Sequence, residues 1–366
     1  MACPYRKRIG NRKDRIMNLI KLDKLPGQDS MLIFHALARI GYEGLVIVSP
    51  KVPLASIGYF QDAQKEIDLE FCQEAGISVM RREVGGGATY LDGNQIFYQM
   101  IWHKDNSLFP RNIKQIFEML SQPACETYRT FGINASFRAE NDIITDKGKK
   151  IAGEGGGDIG DSMVFVGGIL LDFDYHTMSK VLKVPDEKFR DKIYKSMEEN
   201  LTTMKRELGE IPPREDIKRV LIEHFEKITH RLDPFDLDEK TLQKIKELEK
   251  LFTSDAFLFK KTPRIPEGVK IKEGIDILYG LYKAKGGLIR TAEEVENKHV
   301  LKDIVVSGDF NLFPKQSLQN VENALKNKEF DRETIKQEIA KVYDKEKIES
   351  PGIEPEDIAK TVIEAQ

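Results

Sequence analysis

From Met17 to Asp174 the chain alternates short apolar, β-rich runs with isolated amphipathic stretches; from Ser179 to about Leu251 it turns to long charged segments of helical period. Leu32, Ile33, Ala36, Leu37 and Ile40 recur at helical spacing and predict a helix over 31–40, with Asp29 and Ser30 suited to cap it. His35 inside that helix reads as a partly buried core histidine. LVIVSP (45–50) and ASIGYF (55–60) read as strands, 69–75 as a helix stopped by Gly76, and ISVMRR as a strand running into three consecutive glycines. IFYQMIW (96–102) has the aromatic density of a central strand, and a helix follows over 113–120. NDIITDKGKKIAG (141–153) reads as a hairpin turning at Asp146–Lys149, and MVFVGGILLDFD (163–174) as a long buried strand. The mixture predicts an α+β domain on a mixed β-sheet.

The charged region reads as helices over 189–208, 214–228 and 237–251, with Pro212 and Pro213 at the start of the second, where proline is tolerated. Their charge runs read as solvated faces. KKTPRIPEGVKIKEG (260–274), rich in Pro, Gly and Lys, marks a boundary. Beyond it two strands around a polar turn, then helices near 318–326, 332–342 and 356–364, predict a small α+β C-terminal domain. The expected organisation is a basic disordered tail (1–16), a main domain (17–260) with a helical extension from about 180, and an accessory domain (261–366).

Composition narrows the classes. The 366 residues carry a net charge of −3, without the basic excess of a chain built to hold nucleic acid. Cys3, Cys72 and Cys125 form no metal or disulfide pattern, which fits a reducing cytoplasm; Cys125 reads as an ordinary buried thiol. No apolar run is long enough to span a membrane. The first sixteen residues hold six Arg or Lys against one acid, and Met17 is an alternative natural start.

Candidate chemistry centres on RREVGGGATYLDGNQ (81–95). Adjacent glycines are poor strand or helix material, so their use here points to a backbone that approaches something closely. With Arg81 and Arg82 beside it, that something is expected to be anionic, a phosphate or a carboxylate.

Three segments in order carry a resemblance. RREVGGGATYLD, NDIITDKGKKIAG and GGILLDFDYHTMSKVL resemble the glycine-loop, Asn-Asp/lysine and following strand segments of lipoate-protein ligases, and KGGLIRT with DIVVSGDF looks like their accessory domain. The resemblance implies the biotin/lipoate ligase fold and a two-step reaction: lipoate and ATP give lipoyl-adenylate, and the lysine of a carrier domain then takes the lipoyl group. It implies Lys150 as the catalytic lysine and Arg82 at the nucleotide phosphates. Gly85, Gly86, Gly87, Ala88, Thr89, Tyr90 and Asn141 would line the ATP and lipoyl-adenylate site; Asp142 would serve Mg2+ or the nucleotide. Arg81, Val84 and Leu91 would border the lipoate pocket. Expected partners are lipoyl carrier domains of the glycine-cleavage H type or the 2-oxoacid dehydrogenase E2 type, with a monomeric enzyme and neither nucleic acid nor membrane.

The pattern departs at Val84, Thr89, Leu91, Glu140 and Ala152-Gly153-Glu154, and a second glycine run, Gly155–Gly157, reads as a flexible surface loop without contact to ligand. These changes put acyl specificity and carrier choice in question more than the reaction. An octanoyl or lipoyl transferase of the same fold stays open, although it needs an activated cysteine and none follows Cys125. A catalytically silent carrier-binding protein stays open too, and the Gly-Arg-Gly-Arg-like mark of a biotin ligase is missing. Deleting residues 1–16 is expected to leave lipoylation activity unchanged; a large loss in a carrier-modification assay would remove Met17 as a natural start.

Overall fold

The computed structural model describes residues 17–138, 140–263 and 274–365. The expected tail and most of the boundary at 260–274 lie outside them. The chain opens with β1 (Met17–Leu25), α1 (Gly27–Ile40), β2 (Gly44–Pro50), β3 (Leu54–Ile57), α2 (Ala63–Glu66), α3 (Leu69–Glu74), β4 (Ser78–Arg81), β5 (Thr89–Leu91) and β6 (Gln95–His103). Helix α4 (Ile113–Thr130) leads to β7 (Ala135–Arg138), β8 (Asp142–Thr145), β9 (Lys150–Gly153), β10 (Gly155–Ile159) and β11 (Ser162–Leu170). The helical stretch holds α5 (Tyr175–Val181), α6 (Glu187–Asn200), α7 (Met204–Leu208), α8 (Arg214–Thr229), β12 (Leu232–Pro234), α9 (Glu239–Phe252) and α10 (Asp255–Leu258). The C-terminal part comprises β13 (Ile275–Ala284), β14 (Gly287–Glu296), β15 (Val300–Gly308), α11 (Ser317–Leu325), β16 (Lys328–Glu329), α12 (Arg332–Glu346) and α13 (Pro355–Ile363).

A six-stranded mixed sheet of order β10-β11-β6-β2-β1-β12 organises the main part. β6 is central, as its composition predicts, and its alternation feeds two cores. Ile96, Tyr98, Met100 and Trp102 pack with α4 and α8 through Phe117, Leu120, Leu221 and Phe225. Ile101 and Phe97 face the other way, into a core with Leu32, Ile33 and Leu37 of α1 and Leu248 and Phe252 of α9. Two three-stranded sheets, β4-β3-β5 and β7-β8-β9, flank it and carry the sequence segments of interest. The C-terminal part is a four-stranded antiparallel sheet, β13-β14-β15-β16, whose core with α11, α12 and α13 also takes in Tyr59 and Phe60.

Several expectations change. Gly155–Gly157 is no surface loop: it is the start of β10, buried at the edge of the main sheet, because the absent side chains let other backbone lie against it. The helix expected over 189–208 breaks at Leu201–Thr203, where Thr202 N–H donates to the Lys150 carbonyl (2.8 Å) and Thr203 caps α7. Asp29 and Ser30 lie inside α1, which starts after Pro26. The strand at 55–60 ends at Ile57, since Gly58 must lie against the Gly86 carbonyl: a Cβ there would sit 1.9 Å from that oxygen. β13 was not anticipated.

His35 is a buried core histidine, with Nδ1 2.8 Å from the Met31 carbonyl and Nε2 accepting from Glu83 N–H (2.9 Å), and burial pulls its pKa down to about 3. Glu293 in β14 is the costly residue of the small sheet: it is buried, neither carboxyl oxygen has a well-formed hydrogen bond among the described residues, and burial, opposed only by the nearby Thr291 hydroxyl, pushes its pKa up to about 8. The raised value means that the folded state holds this proton more tightly than the unfolded chain, so stability falls as pH climbs from the ordinary value of 4.5 towards about 8. Glu293→Leu is therefore expected to raise the Tm, by more above that range than below it; an equal or lower Tm at alkaline pH would contradict this.

Candidate active site

The glycine loop joins β4 to β5, and strand alternation sends its two arginines to opposite sides. Arg81 is fully buried, and its guanidinium donates to the carbonyls of Gly58 (3.1 Å), Tyr59 (2.9 Å), Gln61 (2.6 Å), Phe257 (2.9 Å) and Leu258 (2.5 Å). Its donors are spent on backbone, so Arg81 ties α10 to the β3 end and does not border a lipoate pocket. Arg82 turns to the loop: it donates to Ser56 O (3.1 Å), Gly85 O (2.9 Å) and Gly87 O (2.8 Å). Burial lowers its pKa to about 10, which leaves it cationic. It shapes the loop from beneath, and a phosphate would meet its charge through that frame.

The glycines are required by contact. A Cβ on Gly85 would lie 2.3 Å from Phe310 O, and Gly86 adopts φ +90. Gly85 N–H donates to Gly156 O (3.3 Å), Gly86 N–H to Phe310 O (3.1 Å), and Gly156 N–H to Asn311 Oδ1 (3.3 Å). Both glycine runs and the segment after β15 thus meet backbone to backbone, and Gly87 faces the Asp309 side chain. Val84 is wholly buried in the α1 core against β10, so it too is a packing residue and not a pocket wall. Leu91 is half-buried on the same side. Ala88 and Thr89 are half-buried, Thr89 Oγ1 donating to Ser56 O (3.3 Å); Tyr90 is buried, and burial pushes its hydroxyl up to about 12.

Lys150 opens β9, and β9 leads through Glu154 into β10, which touches the glycine loop. The side chain is partly exposed, and Nζ lies 2.7 Å from Asp142 Oδ1 across the hairpin, over Gly153, where a Cβ would crowd it. Asp142 Oδ2 takes a second cation, Arg138, at 2.6 Å. Burial raises the Asp142 carboxyl, but Lys150 and Arg138 outweigh it and hold the group below the usual range. Asn141 closes the hairpin, its Nδ2 donating to Glu154 O (3.2 Å) and its O accepting from Glu154 N–H (2.8 Å).

Both oxygens of Asp142 are held in ion pairs, and no cluster of three His, Cys, Asp or Glu occurs among the described residues, so any Mg2+ here would rest chiefly on the nucleotide's own phosphates. The two described cysteines are buried; burial pushes Cys72 up to about 11 and Cys125 to about 12. Sequence reasoning missed Glu83, Asn311 and Lys315. Glu83 is buried between Lys315 (3.0 Å) and Arg39 (2.6 Å); burial would raise it, but Lys315 and its other neighbours bring it down to about 2. The Glu83–Lys315 contact spans 232 positions and the Asn311–Gly156 bond 155, and no local pattern announces them.

Family comparison finds the lipoyl protein ligase A/B catalytic domain over residues 35–226 and the bacterial lipoate protein ligase C-terminus over 282–362. Lipoate-protein ligase A subunit 1 of Thermoplasma acidophilum is 33% identical over 157 residues, covering 40% of this chain and 58% of that protein. Octanoyltransferase LipM of Geobacillus kaustophilus is 25% identical over 233 residues, 57% of this chain and 84% of that one. Among solved structures, the bipartite lipoate protein ligase of T. acidophilum, described with its E2 lipoyl domain, matches with TM-score 0.59 at 27% identity over 69% of this chain and 100% of that one.

The backbone packing makes a direct prediction. A methyl at position 157 would lie 2.7 Å from Glu83 O. Gly157→Ala is expected to cost about 1–3 kcal/mol in denaturant unfolding; a neutral effect would show that the two runs do not bear on one another.

Proposed function

The chain belongs to the lipoyl protein ligase A/B catalytic-domain family, and on that premise we propose that it is an ATP-dependent ligase that activates lipoate as lipoyl-adenylate and passes the lipoyl group to a lysine of a carrier domain. The observation that carries this reading is the continuity of the Lys150 strand with the glycine loop, through β10. The strand that carries the cation runs on into β10, which packs on the glycine loop, and positive charge with backbone donors is what a carboxylate attacking an α-phosphate calls for.

In the first step a lipoate oxygen bonds to the α-phosphorus and pyrophosphate leaves with the electron pair of the broken P–O bond. Two anions approach, so the barrier depends on positive charge placed beforehand. Arg82 holds the loop in shape from its buried position. Lys150 is held on Asp142 at rest and, once released to the substrate, screens the carboxylate and phosphate together; lysine suits this as a flexible point charge. Magnesium, which substrate phosphates hold more than protein cages do, would come with the nucleotide and add positive charge beside them. In the second step the neutral amine of the carrier lysine attacks the acyl carbon, AMP departs with the electrons of the anhydride bond, and the amine sheds a proton. The carrier is of the lipoyl-domain type, E2 or glycine-cleavage H, and the setting is cytoplasmic.

The presence of octanoyltransferases among the relatives favours one competing reading, acyl transfer through a cysteine thioester without ATP. That chemistry needs an accessible thiolate, whereas Cys72 and Cys125 are buried with raised pKa values.

Lipoate- and octanoate-dependent exchange of pyrophosphate into ATP separates the two. Lys150→Ala should lower exchange by about 3–4 kcal/mol of barrier, several hundredfold, while Cys125→Ser should leave it intact. No exchange by the wild type, with carrier modification abolished by loss of a cysteine, would replace the ligase by the transferase.

A further inference from the structure

On the α4 side of the main sheet lies a carboxyl that the proposed reaction does not use. Glu154, at the junction of β9 and β10, is buried, and its Oε1 accepts from the Tyr98 hydroxyl at 2.5 Å. Its Oε2 lies against Ser121 Oγ, and the same Oγ lies 2.6 Å from the Phe117 carbonyl oxygen. A serine hydroxyl has one proton to give, and a carbonyl has none. Ser121 can bond both neighbours only by donating to Phe117 and accepting from Glu154, so the second contact needs a proton on the carboxyl. The donor chain then runs from Glu154 O–H to Ser121 Oγ and from Ser121 O–H to the Phe117 carbonyl.

The surroundings agree. Facing Glu154 are Tyr98 from β6, Cys125 and Tyr128 from α4, and, at longer range, Asp142 from β8 and Lys150 from β9. No cation forms an ion pair with it among the described residues, and an ionised carboxylate buried without one is costly. Room for the arrangement is built into β11: Gly167 stands opposite Tyr98 in the register, and a Cβ there would lie 2.3 Å from the Tyr98 hydroxyl. A second hydroxyl works alongside, Tyr128 donating to Ile151 O (3.1 Å) and accepting from Leu170 N–H (2.9 Å).

We propose that Glu154 is a protonated carboxylic acid whose role is to position the Lys150 strand, clamping the β9–β10 junction to β6 and α4. The proposal rests on Lys150 as the lysine of the proposed ligase reaction; the clamp itself does not. Burial, with Asp142 pushing the same way against the bond from Tyr98, raises the Glu154 pKa to about 7. The folded state therefore binds this proton more tightly than the unfolded chain. The stabilisation is complete below the ordinary value of 4.5 and is lost as pH rises to about 7.

The test uses the full chain as wild type, Glu154→Gln and Glu154→Asp. The infrared carbonyl stretch of a protonated carboxyl, followed against pH, should show a component that disappears near pH 7 and is missing from Glu154→Gln. Hydrogen-exchange protection of residues 150–157, with the intrinsic rise of exchange with pH divided out, should fall over the same range in the wild type but not in Glu154→Gln, whose amide accepts from Tyr98 and donates to Ser121. In lipoate-dependent exchange, Glu154→Gln should keep a wild-type kcat and lose the alkaline decline, while Glu154→Asp, one methylene short, should lose about tenfold or more in kcat with little change in the KM for ATP. A wild-type carboxyl already ionised at pH 5, or protection of residues 150–157 that does not change with pH, overturns the proposal, as does a Glu154→Gln variant damaged as much as Glu154→Asp. A wild type without ATP-dependent activity would refute the ligase reading, while the infrared and exchange data would still decide the state of Glu154.

Discussion

Close approach of three backbone segments governs this molecule. Gly85 and Gly86 bond to Gly156 O and Phe310 O, and Gly156 N–H returns to Asn311, so the loop between β4 and β5, the edge strand β10 and the segment after β15 share one set of hydrogen bonds. None of these approaches tolerates a Cβ at Gly58, Gly85 or Gly157, where a methyl would fall within 3 Å of a carbonyl oxygen. The glycine runs are thus fixed first by packing, and whatever the loop binds is bound on a surface that packing has already shaped. The conformation of the loop is a property of the whole chain, including its last ninety or so residues.

The remainder of that seam uses buried charge. Lys315 reaches Glu83 (3.0 Å) and Lys261 reaches Glu322 (2.7 Å), both pairs buried, and at the half-buried margin Arg290 reaches Glu66 (2.5 Å). Glu349 accepts from Ile113 N–H at the start of α4 (2.9 Å), where a carboxylate also meets the helix dipole. Apolar contact contributes Phe60 stacked on Phe310 at 5.1 Å. Buried pairs of this kind add little net stability against well-packed apolar residues, but a wrong register strands a charge at a cost of several kcal/mol. The pairs therefore specify how the C-terminal sheet sits on the glycine loop more than how firmly it is held.

The parts of the fold visible beforehand are those set by local pattern. β6, the 141–153 hairpin, α8, α9 and the three C-terminal helices follow from apolar period and turn residues, and the structure carries them within a few positions. The errors have a common physical source. Gly155–Gly157 has the composition of a loop and becomes a strand because the facing elements are themselves backbone. Arg81 and Val84 sit in a segment that resembles a binding site, yet both side chains are buried in the interior, where carbonyls and β10 consume them. Thr202 breaks a run of helix-forming residues by pairing with Lys150, fifty-two positions away. The roles assigned by resemblance to Lys150 and the glycine loop are compatible with their placement, but Glu83, Lys315 and Asn311 are defined only by tertiary contact.

Lys150 illustrates how such a site divides its labour. Its side chain is half in solvent and held by one carboxylate, whose other oxygen is already paired with Arg138. Sharing Asp142 between two cations weakens the hold on each, because one negative charge is divided and the site is open to water. The backbone beneath is treated in the opposite way. The carbonyl of Lys150 accepts from Thr202, that of Ile151 from Tyr128, and Glu154 fixes the strand end between Tyr98 and Ser121. A loosely held ammonium on a firmly held strand can change partners from Asp142 to a substrate anion without the strand moving. The cost of reorganisation then falls on four side-chain torsions instead of on the sheet.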